Sequence, residues 1–321
     1  MDSNKSKKII VGNKKAYYFE KKGRGENLNF HDYLIEDYSL HLVVEGGWHS
    51  KFNGLITDQV QALSIISEHD VDIDFIHLYF SKIKQVYIKV NNISNAEILN
   101  SLRQLKDLSI SCKKSTKIHF DLPAGLKSFV LDWKSQYQLN KLPEFIEYWS
   151  INKAKNLNWS TVLKDKKNLV KLELIDCDIH NGNDLINLPN LKYLAVTNCK
   201  NISFTSTIGA NKALAYIYFQ KTLLKNLKWV KSLQDLDILI LEDCGDFENV
   251  FPLINKTSIR GLWFSGNTKI INGDLKALET LVNLKNCFIR PFKHYTHKNL
   301  YSWNWGNFQS KHRSVISKVG K

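Results

Sequence analysis

Apolar residues recur along the chain in one nine-position phrase, L-x-x-L-x-L-x-x-N/C, in which other apolar residues also stand at the leucine positions. Ten matches begin at Ile83, Leu105, Leu126, Ile146, Leu169, Leu191, Leu214, Leu236, Ile259 and Leu284, at intervals of 22, 21, 20, 23, 22, 23, 22, 23 and 25 residues. LVKLELIDC (Leu169 to Cys177), LKYLAVTNC (Leu191 to Cys199) and LDILILEDC (Leu236 to Cys244) are clear examples. Each L-x-L triplet predicts a strand with two apolar side chains on one face and the intervening residue on the other. The final N/C position falls where the chain turns away, and a buried amide, thiol or hydroxyl there can satisfy backbone groups the turn leaves unpaired. Between phrases, apolar residues recur at threes, as in Leu224, Leu227, Val230 and Leu233, or Leu275, Leu278 and Leu281. That spacing predicts short helical or 3-10 return segments.

No single unit of this kind can bury its own leucines, so the units must stack and share one core. Their strands then line one face as a parallel sheet with a spacing of about 4.8 Å. The pattern resembles the leucine-rich repeat family over about two-thirds of the chain. The resemblance implies an α/β solenoid of about ten units with a concave parallel sheet, of the shorter bacterial type. The turn position is filled conventionally by Asn91, Cys177, Cys199, Thr222, Cys244 and Asn267, but not at Lys113, Lys134, Ala154 or Phe292. A one-residue slip in the second and third phrases would bury Cys112 and Trp133 instead.

Open ends of a stack need covers. Residues 1–80 are expected to form a small N-terminal α/β cap, residues 81–292 the solenoid and residues 293–321 a C-terminal cover and tail. KIIVGNKKAYYFE reads as a hairpin turning at Gly12-Asn13, and DYSLHLVVEGGW as a strand ending at Gly46-Gly47. TDQVQALSIISEH is expected to be a helix capped by Thr57, with Val60, Leu63 and Ile66 on one side. DVDIDFIHLYF is a further strand candidate. In the C-terminal segment Tyr295, Tyr301, Trp303, Trp305 and Phe308 are expected to shield the last unit.

Composition changes this picture little. The net charge of +14 suggests nucleic acid, yet residues 1–25 hold eight Lys/Arg against Asp2 and Glu20, and residues 280–321 hold eight and no carboxylate. The body between carries 29 of each sign, which disfavours nucleic-acid binding except through the basic termini. No apolar run approaches the roughly 18–20 residues of a membrane helix, and Ile9 to Val11 is too short for a signal-peptide core. A cytoplasmic chain without a membrane anchor is expected, and five cysteines do not suggest a disulfide framework.

Catalytic motifs are missing from the pattern: there is no Walker loop, nucleophile elbow, dinucleotide glycine signature or His-Glu-x-x-His. His294, His297 and His312 lack carboxylate or thiol company. We therefore expect no catalytic residues, no metal and no cofactor. The informative positions are the gaps between the leucines, which face outward. In the later phrases they bring Tyr193, Tyr216, Tyr218, Ile238, Ile240, Trp263 and Phe288 onto adjacent rungs, with Arg290 beside the last. Large rings in one patch mark a protein-binding surface, the alternative being that the C-terminal segment covers them. The resemblance implies a non-catalytic protein-binding scaffold: an immunity or inhibitor protein that neutralises a cognate bacterial toxin, or the recognition part of an effector acting on a host protein. Nothing in the pattern speaks to oligomeric state.

Overall fold

A computed structural model describes residues 8–19, 40–55, 59–114, 116–179, 185, 188–199, 208 and 210–296. The chain divides into two compact units, residues 1–146 and 147–321.

In the first unit, β1 (Lys8–Val11) and β2 (Lys14–Phe19) form the expected antiparallel hairpin, with Gly12 in the left-handed region at φ 62°. The strand β2 pairs antiparallel with β3 (His41–Glu45). From there pairing is parallel through β4 (Ala62–Ile66), β5 (Gln85–Val90), β6 (Asp107–Cys112) and β7 (Ser128–Asp132). The second unit is parallel throughout: β8 (Tyr148–Asn152), β9 (Lys171–Ile175), β10 (Tyr193–Thr197), β11 (Tyr216–Gln220), β12 (Ile238–Glu242), β13 (Gly261–Ser265) and β14 (Asn286–Ile289). A strand thus occupies each of the ten phrases.

Two expectations for residues 57–80 are corrected. The segment read as a helix after Thr57 is a strand over Ala62–Ile66, with Leu63 and Ile65 fully buried; Thr57 itself lies outside the described residues. Val60, Leu63 and Ile65 stand at L-x-x-L-x-L spacing, and pairing with both neighbouring strands outweighs the short threefold apolar spacing. The segment 70–80, read as a strand, gives a short strand, Asp70–Asp72, and then a helix, Phe75–Tyr79, that buries Phe75 and Ile76.

The L-x-L pairs point into the core as the spacing requires: Leu172, Leu174, Leu194, Val196, Ile217, Phe219, Leu239 and Leu241 are wholly buried. Return segments close the other side with 3-10 turns at Lys228–Ser232 and Lys276–Thr280, as the apolar threes predict. Asn158 caps the helical turn Trp159–Val162 by accepting from the Thr161 amide at 3.1 Å.

Every turn after β8 to β12 passes through one left-handed, non-glycine residue: Lys153, Asp176, Asn198, Lys221 and Asp243, at φ between 50° and 61°. That residue's amide donates to the last strand carbonyl of the next rung, as from Asp176 to Thr197 at 2.9 Å and from Lys221 to Glu242 at 2.8 Å. The residue after it turns inward and is buried: Ala154, Cys177, Cys199, Thr222 and Cys244. Its thiol or hydroxyl donates to a carbonyl of the preceding strand, from Cys177 to Ile151 at 3.4 Å, Thr222 to Val196 at 3.4 Å and Cys244 to Phe219 at 3.2 Å. Burial pushes the Cys244 thiol up to about 12, which keeps it a donor at neutral pH.

The inward position shifts where turn length changes. In the first unit no left-handed residue intervenes after β5, β6 or β7, and Val90, Cys112 and Trp133 are buried in place of Asn91, Lys113 and Lys134. After β13 two residues intervene, Gly266 (φ 61°) and Asn267, so Thr268 is the buried one and Asn267 is exposed. Thr268 accepts from the Cys244 amide at 3.0 Å and donates to the Leu241 carbonyl at 3.3 Å. Gly266 is required there, because a Cβ would collide with the Asp243 carboxylate.

At the end of the second unit Tyr295 is buried and its hydroxyl accepts from the Ile270 amide at 2.8 Å. Tyr301, Trp303, Trp305 and Phe308, expected to join it, lie outside the described residues, as do His297, His312 and most of both basic termini.

Candidate functional site

Side chains at alternate positions on β8 to β14 leave the core and share the opposite face of the sheet. Strand register aligns them in columns. One column runs Tyr193, Tyr216, Ile238 and Gly261, and the next runs Ala195, Tyr218, Ile240, Trp263 and Phe288. Seven of the eight residues singled out from the sequence therefore stand on five neighbouring strands.

Their packing is specific. Tyr193 and Tyr216 stack at 4.5 Å between centroids with planes 12° apart, and Trp263 and Phe288 stack at 4.3 Å and 24°. Between the two stacks Ile238 and Ile240 are 5% and 4% exposed, and Tyr216, Tyr218 and Trp263 pack against them half-buried. Ile238 leans toward Gly261: a Cβ there would meet its Cγ1 at 3.2 Å. The absent side chain on β13 makes room for the isoleucine on β12. The eighth residue, Arg290, sits at the rim. Its guanidinium donates to the Gly266 carbonyl at 2.9 Å and lies 5.8 Å from the Phe292 ring, turned to the turn edge and not over Phe288.

Toward β8 the face becomes polar through a cluster that was legible in sequence but not recognised. Lys171 Nζ stands 3.0 Å from Glu173 Oε1, with both side chains largely buried. The ammonium lies between two rings, 4.6 Å from the centre of Tyr148 and 4.7 Å from that of Tyr193. The Tyr148 hydroxyl donates to Glu173 Oε2 at 2.8 Å. Burial lowers the lysine pKa, and the Glu173 carboxylate opposes that shift. Lys-x-Glu on one strand, with tyrosines on both flanking strands at the same register, was the available signal.

On β11 and β12 the Tyr218 hydroxyl donates to Glu242 Oε2 at 3.1 Å. Burial raises the phenol's pKa, and the carboxylate beside it adds to the shift. The face thus holds rigid rings, two aliphatic side chains and a few oriented polar groups. Such a surface can bind by area and shape. Among the described residues no group of three or more His, Cys, Asp or Glu could hold a metal, and no helix is long and apolar enough to cross a membrane. In the first unit one buried polar contact stands apart: His41 Nε2 lies 2.8 Å from Ser64 Oγ. Burial pushes that imidazole down to about 4.

No family model matches the chain, and no curated protein matches it. Solved structures do. An internalin (inlF) from Listeria monocytogenes superposes with a TM-score of 0.58 at 17% identity, over 76% of this chain and 71% of that one. An internalin C2 from the same organism gives 0.38 at 17% identity, over 71% and 80%. The leucine-rich repeat ectodomain of the plant receptor kinase GASSHO1/SCHENGEN3 from Arabidopsis thaliana gives 0.45 at 16% identity, over 70% and 28%. The inlF likeness shows the fold: this chain has the leucine-rich repeat architecture that its phrase spacing implies.

Proposed function

We propose that the chain is a non-catalytic scaffold that binds a partner protein on the aromatic face of its second unit. One observation carries this reading. Two stacked ring pairs flank an aliphatic centre on consecutive rungs, all at outward positions of the sheet. Tyr, Trp and Arg concentrate at the centres of protein interfaces, where a few well-packed rings supply most of the affinity. The rungs from Tyr218 to Phe288 cover about three strand spacings, roughly 14 Å, the size of a hot-spot cluster. The titratable groups of this face support a binding role, since Lys171, Glu173 and the Tyr218 hydroxyl are engaged with one another or with neighbouring side chains.

Within that reading the partner is a toxin that this chain neutralises, a proposal supported by the family resemblance and by the lack of catalytic motifs in the sequence. Calorimetric titration with the product of the adjacent gene, or with the protein captured by the full chain, tests the face. Trp263→Ala and Tyr218→Ala should each weaken binding by about 2 kcal/mol. Native affinity in both variants places the site elsewhere. Co-expression tests the finer reading: protection of growth against the adjacent gene's product is expected, and no protection refutes it.

A further inference from the structure

We infer that the edge of the first unit at which the chain enters its strands is a docking surface for a short acidic segment of a partner protein, built on Lys84, Arg103 and Lys106. The inference is independent of the role of the aromatic face, which belongs to the second unit.

Three approach segments, residues 81–84, 103–106 and 124–127, lead into β5, β6 and β7. They carry Lys82, Lys84, Arg103, Lys106 and Lys127 and no carboxylate. Backbone bonds fix their alignment. The Lys84 amide donates to the Gln61 carbonyl at 2.8 Å, that of Lys106 to Lys84 at 2.7 Å and that of Lys127 to Lys106 at 2.8 Å. Three lysines therefore stand at one register position on successive rungs, about 4.8 Å apart. Lys84 and Lys106 are half-exposed, and Lys82, Arg103 and Lys127 are exposed. Asp107, the residue after Lys106, is 8% exposed and belongs to the sheet face.

Elsewhere neighbouring rungs set opposite charges together. In the second unit the same register position runs Val170, Lys192, Ala215, Asp237, Arg260 and Lys285, and Arg260 Nε donates to Asp237 Oδ1 at 2.6 Å. Lys113, at the turn after β6, pairs with Glu68. Among the described residues no carboxylate pairs with Lys84, Arg103 or Lys106. Lys106 Nζ donates to the Gly125 carbonyl at 3.2 Å, and a Cβ on Gly125 would stand 2.9 Å from that nitrogen. One neutral carbonyl orients the ammonium and leaves it two further donors and its whole charge. Like charges on neighbouring rungs are unfavourable, and an anion that bridges them relieves that cost.

The extent of the surface selects its ligand. Three rungs span roughly 10 Å, which an extended peptide covers in about three or four residues. The segments on either side end the positive charge. The approach to β4 carries Gln59 and Gln61. In the last approach of the unit Glu144 follows the turn carbonyl of Pro143, as Arg103 follows that of Leu102. A polynucleotide, with one charge per roughly 1.7 Å of duplex, would run onto that glutamate, whereas a short run of Asp or Glu fits within the limits.

The test uses the full chain and a fluorescent Gly-Ser peptide carrying about four consecutive glutamates, titrated by anisotropy at low salt. Lys84→Gln/Arg103→Gln is compared with Lys212→Gln/Lys225→Gln, which removes the same charge from exposed positions of the second unit, and with Lys84→Arg/Arg103→Lys, which keeps it. The expected result is about fivefold weaker binding to the first variant, as for the loss of two exposed ion pairs, and less than about twofold change in the other two. Equal loss in the first two variants means that net charge or the basic termini hold the peptide, and overturns the inference. Equal loss in the first and third, or no binding by the wild-type chain, also overturns it. A single-stranded oligothymidylate that binds more tightly than the peptide and is lost on the first variant makes the surface a nucleic-acid site and overturns the acidic-segment assignment.

Discussion

Thr268 offers a direct test of how the turns of the second unit are held. The residue is 1% exposed, and its hydroxyl accepts from the Cys244 amide and donates to the Leu241 carbonyl. Thr268→Val keeps the shape of the side chain and deletes both bonds. A buried amide left without an acceptor costs about 1–3 kcal/mol. The carbonyl has a second lone pair and adds less. The expected loss is about 2–3 kcal/mol in all. Thr268→Ser keeps the hydroxyl and loses one methyl, so about 1 kcal/mol is expected. Asn267→Ala removes an exposed side chain and should stay within about 0.5 kcal/mol. Urea denaturation followed by circular dichroism reads all three, with the m-value compared so that stability changes are not confused with changes in compactness. If Asn267→Ala proves costlier than Thr268→Val, the inward position after β13 is the one the phrase spacing assigned, and the turn geometry described here is wrong.

Leu194, wholly buried in mid-sheet, should cost about 2–5 kcal/mol on Leu194→Ala in the same denaturation assay. Gly266→Ala should cost about 2–3 kcal/mol: a non-glycine residue in the left-handed region loses about 1–2 kcal/mol, and Asp243 must also move; Asp243→Ala in the same chain should recover part of that loss. His41 has its folded pKa depressed to about 4 from 6.5, so the neutral ring is favoured by folding. Its contribution is fully present above pH 6.5 and is lost as pH falls through about 4, a change of about 3 kcal/mol that His41→Gln should remove from the stability profile over this window.

The strands were legible because the L-x-L alternation needs only local geometry, and Leu172 with Leu174 or Leu239 with Leu241 could point nowhere but inward. The turns were less legible. Whether Asn267 or Thr268 is buried depends on one left-handed residue more or less, and φ at Gly266 is not written in hydropathy. The strand Ala62–Ile66 was hidden for a related reason: Val60, Leu63 and Ile66 fit a helix by spacing, while the pairing that decides the matter comes from residues more than 20 positions away. Of the site, the columns followed from collinearity between sequence and rungs. The packing did not. The depth of Ile238 depends on Gly261 in the next strand, and the direction of Arg290 depends on a carbonyl 24 residues earlier.

Each inward thiol or hydroxyl of the turns after β9 to β13 reaches a carbonyl 25 to 27 residues before it. That span is one period plus a few residues, so the bond is defined by rung number and not by particular partners. Excising a whole period, for instance 195–217, joins Leu194 to Tyr218 and hands Thr222 a carbonyl on the strand that now precedes it. Excising half a period leaves a thiol or hydroxyl facing a return segment. Chain length in this protein is therefore a digital variable, free to change by whole rungs and blocked in between. Because the aromatic face is written one rung at a time, the same excision would delete one row of the recognition surface and bring its neighbours together. Gain or loss of a single rung is a route by which such a protein could exchange one partner for another without ever passing through an unfolded sequence.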